Sequence, residues 1–167
     1  MVWLLKFHPA KCKRLFISRL APDPRHLPLT LTPAGSQSAA IDTYSEEKDL
    51  GITIDNKLRF NTHIANVTKK SNRNMGIIRR SFQDLNATTF KALYKTLVRP
   101  VLEYGQCIWS PYLIGDMKRL ESVQRHVTRQ VNDLQGLSYQ ERLKRFSLPS
   151  SRFRRLRGDM IEIYKIV

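Results

Sequence analysis

From residue 61 onward the apolar positions recur at the spacing of a helix. Ile64, Val67, Met75, Ile78 and Phe82 follow a candidate cap at Asn61, with polar Ser71 interrupting the stripe, which predicts a helix of about 20 residues. Asn86 then caps a second helix whose Phe90, Leu93, Tyr94, Leu97 and Val101 form one apolar stripe. Pro100 lies inside that pattern; it withholds the amide hydrogen that the Thr96 carbonyl would accept, and predicts a kink. Met117, Leu120, Val123, Val127 and Val131 mark a third helix, with Gly136 after its end. A short fourth spans about 139–146, and a fifth starts near Ser151 with the stripe Phe153, Leu156, Met160, Tyr164 and Val167. None of these stripes is buried by its own helix, so the expected fold class is mainly α, a helical bundle over residues 56–167.

Before residue 56 the pattern is different. Residues 13–18 (KRLFIS) read as a short strand. Ile41 to Tyr44 and Leu50 to Ile54, on either side of the charged Glu46-Glu47-Lys48-Asp49, predict a small antiparallel β hairpin within 41–55. Between these segments Pro22, Pro24, Pro28 and Pro33, followed by Gly35, Ser36 and Ser38, predict a disordered Pro-rich linker over 19–40 without regular structure.

Charge then separates the two parts of the 167-residue chain. Residues 1–55 hold seven basic and six acidic side chains, residues 56–167 hold 22 and eight, so the helical part carries +14 of the net +15. A basic excess of that size implies a polyanionic partner, nucleic acid first. No apolar run approaches the ~18 residues of a membrane span, so no membrane partner is expected. Cys12 and Cys107 lie far apart with no C-x-x-C, which excludes a disulfide framework. The seven glycines contain neither G-x-G-x-x-G nor a P-loop. His8 and Cys12 are four apart, but Pro9 stands between them and no second pair completes a tetrahedral site, so no metal and no cofactor are expected.

Particular basic residues make the charge useful. Lys118, Arg125 and Arg129 stand at i, i+7 and i+11, within about 40° of one another on a helix and away from the Leu120/Val127 stripe. Arg152, Arg154, Arg155 and Arg157 cluster at the start of the last helix, where free amides also attract phosphate. These seven are the candidate nucleic-acid-binding residues, since guanidinium groups fork onto phosphates without reading sequence. The competing reading makes them bundle ion pairs with Glu121, Glu141, Asp159 and Glu162.

The residues also carry a resemblance. Glu47-Lys48-Asp49-Leu50-Gly51-Ile52-Thr53-Ile54-Asp55, Gly76-Ile77-Ile78-Arg79-Arg80, Leu93-Tyr94-Lys95-Thr96-Leu97-Val98-Arg99-Pro100, Glu103-Tyr104-Gly105, Trp109-Ser110-Pro111, Leu120-Glu121-Ser122-Val123-Gln124-Arg125, Leu137-Ser138-Tyr139-Gln140-Glu141-Arg142-Leu143 and Arg154-Arg155-Leu156-Arg157-Gly158-Asp159-Met160 together resemble the C-terminal part of non-LTR (LINE, jockey-like) retrotransposon reverse transcriptases, in that family's order. The resemblance implies a primer-grip-like hairpin at Leu50, Gly51 and Ile52, and a thumb-like bundle over 56–167 that holds the template–primer duplex. Trp3 and Leu5 to Lys13 are similar to the last palm segment, which makes 1–18 a palm remnant and puts Lys11 near the nucleotide pocket. The family's Tyr-x-Asp-Asp turn, whose aspartates hold two Mg²⁺ ions, is missing: the chain has no Asp-Asp pair.

The expectation is therefore a fragment of an RNA-directed DNA polymerase that binds template–primer nucleic acid, RNA or DNA, and is not an enzyme on its own; a palm and fingers chain would be a separate partner. The alternative is a degenerate retroelement-derived protein acting only as a structural or protein-interaction module. A nuclear or cytoplasmic location fits either. The basic, acid-free first 20 residues share the bias of mitochondrial presequences, which adds an organellar nucleic-acid-binding protein as a third reading.

Overall fold

A computed structural model describes residues 8, 11–18, 29–32, 38–82, 86–131, 134 and 136–167. The palm-like residues Trp3 to Phe7 and the prolines at 22, 24, 28 and 33 lie outside the described residues. The chain divides into two compact units, Met1–Arg59 and Phe60–Val167.

In the first unit the expected hairpin within 41–55 forms with shifted strands, and two further two-stranded ladders accompany it among the described residues. β1 (Arg14–Leu15) pairs in parallel with β4 (Thr43–Tyr44), and β2 (Thr30–Leu31) pairs antiparallel with β3 (Ala39–Ala40). The second ladder corrects the expectation of no regular structure across 19–40. β5 (Glu46–Asp49) pairs antiparallel with β6 (Ile52–Asp55). The charged tetrad expected as a turn is thus a strand, and the turn is Leu50-Gly51, with φ 45° and 88°. Two consecutive positive φ values are what a two-residue hairpin loop requires to match strand twist, and only Gly51 meets that without steric cost. Lys13 Nζ donates to both carboxylate oxygens of Glu47 at 2.9 Å, and that bond raises the ammonium pKa above its ordinary value.

The second unit contains the helices. α1 (Asn61–Ser81) buries Ile64, Val67, Met75 and Ile78 as expected, and Ser71 shares their buried face. Its cap is not Asn61. Phe60 holds that position in the left-handed region without a side-chain cap, because the preceding turn is closed by Asp55 Oδ1, which accepts from the Lys57 and Arg59 amides. α2 (Ala87–Leu93) does begin at an Asn86 cap, whose side chain accepts from the Thr89 amide at 2.8 Å.

Ahead of Pro100 the helix does not simply kink. It widens over Tyr94–Val98 into a π turn, closed by the Arg99 amide donating to the Tyr94 carbonyl, before α3 (Arg99–Glu103) resumes. One extra residue in a turn rotates all that follows by about 100°. The buried positions accordingly run Phe90, Tyr94, Val98, Leu102, whereas Leu97, expected in the stripe, is 47% exposed. The Leu97 carbonyl accepts from Asn74 Nδ2 at 2.7 Å, which ties the bulge to α1.

α4 (Gln106–Trp109) follows Gly105 and ends on fully buried Trp109, which meets the His63 ring edge-on at 4.9 Å and donates to the Tyr104 carbonyl. α5 (Ile114–Thr128) buries Leu120, Val123 and Val127. α6 (Tyr139–Phe146) starts at a capping box in which Ser138 and Glu141 each satisfy the other's amide, and it seats Phe146 against Phe90 at 4.8 Å. α1 packs on the π turn, α3 and α5; α7 (Ser151–Ile166) packs on α4 and α5.

α7 reverses its expected orientation. Phe153, Leu156, Met160, Tyr164 and Val167, the stripe expected to be buried, are all exposed, while Ser151 and Arg155 are buried. The helix is seated on its polar side. Arg155 Nη1 donates to Ser151 Oγ at 2.6 Å, Arg154 forks onto Glu103, and Gly158 lies so close to the Gln106 amide that a Cβ there would meet its nitrogen at 1.8 Å.

Candidate nucleic-acid interface

Three of the seven candidate residues converge. Lys118 and Arg125 on α5 and Arg152 on α7 line one groove of ≈950 Å³ between α5, α6 and the start of α7, together with Lys144 of α6. All four are exposed. Half-buried Tyr139 and Met117 and buried Leu143 and Leu148 make the groove's apolar side. Arg129 is also exposed, at the C-terminal end of α5 beyond the groove.

The only acid on this groove is already engaged. Glu121 Oε1 accepts from the Tyr139 hydroxyl at 2.5 Å, and its Oε2 accepts from the Arg152 amide at 3.0 Å. Burial first, and then the bond to Glu121, pushes the Tyr139 phenol well above its ordinary range. The guanidinium groups of Arg125 and Arg142 lie 5.0 and 5.9 Å from the Tyr139 ring centroid, so Arg125 is held by the ring while its charge stays in solvent. Against this one carboxylate stand four bases, so the groove keeps a net positive charge.

The start of α7 differs from the expected phosphate cradle. Ser150 Oγ accepts from the Phe153 amide at 3.2 Å, and Glu121 takes the Arg152 amide, so the first-turn donors there serve internal acceptors. Arg155 is only 4% exposed and its burial lowers the guanidinium pKa; it belongs to the packing of the helix. Arg154 is half-buried on Glu103, and that bond raises its pKa. Arg157 is exposed, on a separate cleft beside Gln106, Cys107 and Ile161.

The acids named as ion-pair partners are largely used otherwise: Glu141 caps α6, and Glu162 pairs with Lys165 at 2.8 Å. Sequence reasoning missed Glu103, which receives both Arg154 and Arg99, and Lys144, the fourth base of the groove. The Ser138-x-x-Glu141 spacing was the available signal for Lys144, since it fixes where α6 begins and hence which face position 144 occupies. In the other unit, Leu50 and Gly51 form the hairpin tip, Leu50 is 83% exposed, and Ile52 is buried behind them. Among the described residues no three His, Cys, Asp or Glu side chains gather as a metal site, and no helix is long and apolar enough to cross a membrane.

No family model matches the chain, and no solved structure is similar to it. Over 134 residues, 78% of the chain, it is 26% identical to a probable RNA-directed DNA polymerase from transposon BS of Drosophila melanogaster, of which it spans 14%. It is 28% identical over 116 residues to the uncharacterized protein B0403.1 of Caenorhabditis elegans, covering 68% of the chain and 59% of that protein. The chain is a distant relative of a transposon RNA-directed DNA polymerase.

Proposed function

We propose that the helical unit is a thumb-like module that grips the sugar–phosphate backbone of a template–primer duplex without reading its sequence. The Leu50-Gly51-Ile52 tip would be the primer-grip-like element of the same machinery. The observation that carries this reading is the convergence of Lys118, Arg125, Lys144 and Arg152 on one groove whose single acid is consumed internally. Arg129 and Arg157 extend the basic surface; Arg154 and Arg155 act instead in fixing α7.

Phosphate contacts of this kind release counterions. Engaging about five phosphates gives a slope of log K against log salt near −4.5, at about −0.9 per contact. Replacing Arg125 and Arg129 together by Ala should flatten the slope by roughly two units, whereas Arg154→Ala should leave it unchanged. Full slope in the double variant would remove these arginines from the interface. Failure of the parent chain to bind duplex at about 100 mM salt would overturn the reading itself.

A further inference from the structure

α7 presents to solvent the face that an amphipathic helix normally buries. Phe153, Leu156, Met160, Ile163 and Tyr164 are each more than half exposed and, at three- and four-residue spacing, share one side of the helix. The opposite side is fixed by polar contacts of specific geometry: Arg155 on Ser151, Arg154 on Glu103, Gly158 against Gln106. A half-turn rotation of α7 would bury the stripe but break all of these, so the orientation is held and the stripe remains available. Contiguous apolar surface of this extent marks an interaction site.

Its surroundings select the occupant. Arg152 and Arg157 flank the stripe, one on each side, and both are exposed. The helix's own acids lie toward the bundle, Asp159 with a buried carboxylate oxygen and Glu162 paired with Lys165. Phe153 also lines the groove, so the stripe continues into a concavity bordered by Lys118 and Lys144. A concave apolar track with a basic rim accepts a rod better than the flat surface of a bilayer. A second copy of this chain would bring Arg152 and Arg157 against basic surface, with +15 on each molecule, which opposes association.

We propose that the outward face of α7, with the groove it borders, docks an amphipathic helix of a partner protein whose apolar stripe is flanked by acidic residues. The site shares Arg152 and the groove with the proposed duplex contacts, so peptide and duplex should compete, but the apolar stripe itself supplies none of the duplex contacts and peptide docking does not rest on duplex binding.

The test uses the full chain and a labelled synthetic helix of about 18 residues, roughly five turns, with a Leu stripe and Glu flanks. It should bind at least about tenfold more tightly than the same peptide with Lys flanks or with its order scrambled. Leu156→Gln combined with Met160→Gln should weaken peptide binding by about tenfold or more while melting temperature and duplex affinity hold, since both side chains already face water and the change adds no charge. In the parent chain, amide exchange on peptide addition should slow in α7 and along the groove, a readout that needs no variant. Equal binding of the Glu and Lys peptides would overturn the proposal, as would parent affinity in the double variant. So would a parent dimer that Met160→Asp dissolves, or phosphatidylserine vesicles outcompeting the peptide for this face.

Discussion

Leu97 and Val98 are sequence neighbours on opposite sides of the core boundary. The π turn puts the valine inside and the leucine outside, which orders the costs of truncation. Leu102→Ala, one turn beyond Val98 in the buried row, should cost roughly 2–5 kcal/mol, while Leu97→Ala should cost less than about 1 kcal/mol. Chemical denaturation of the two variants measures the difference, and equal losses would mean the stripe follows an uninterrupted α-helix. Glu141 provides a second single-residue test. Hydrogen bonds that its carboxyl accepts from the Ser138 side chain and amide hold it below the ordinary carboxylate range. A lowered native pKa contributes stability that is complete above the unfolded value of about 4.3 and is lost as pH falls through the native one. Glu141→Gln keeps the capping geometry without the charge, so its melting temperature should fall less between pH 5 and 3 than that of the parent, with pH limits set about the carboxylate range.

Element boundaries were largely written in the periodicity. Asn86 as a cap, α6 over Tyr139–Phe146 and the start of α7 at Ser151 all match the sequence expectation, because capping residues and apolar spacing are local properties. Orientation was not legible. Periodicity gives α7 a stripe but cannot say which way it faces, and the decisive anchor joins Arg154 to Glu103, 51 positions apart. The hairpin register failed for a related reason: Glu46 to Asp49 has the composition of a turn, yet Gly51 alone can take the φ of 88° at which the chain reverses. The close approach at Gly158 supplies the test for this scale. In the parent, a Cβ at 158 displaces the Gln106 side chain and offsets the helix-propensity gain of Ala. In a Gln106→Ala background, Gly158→Ala should instead stabilise by about 0.5–1 kcal/mol. No gain in that background would show that another contact limits the spacing of α4 and α7.

The chain divides into two compact units, Met1–Arg59 and Phe60–Val167. Composition alone located the basic unit; which of its arginines reach solvent depended on folding, since Arg155 packs inside while Arg152, three positions earlier, lines the groove. The helical unit holds the core from Ile64 to Leu148 within itself. Residues 60–167 expressed alone should therefore retain a helical far-UV spectrum and a single cooperative thermal transition, and a featureless spectrum would show that residues 1–59 are needed for folding.

The polar seat of α7 also governs how the helix comes away. Detaching an ordinary amphipathic helix exposes much apolar surface, so urea favours the opening steeply and the heat capacity rises. α7 buries Ser151 and Arg155 and exposes its hydrocarbon already. Its release is therefore a breaking of hydrogen bonds and an ion pair with little new hydrocarbon hydration. Salt, more than urea, should therefore set the population of the open form, and α7 should open as a unit separate from the rest of the bundle.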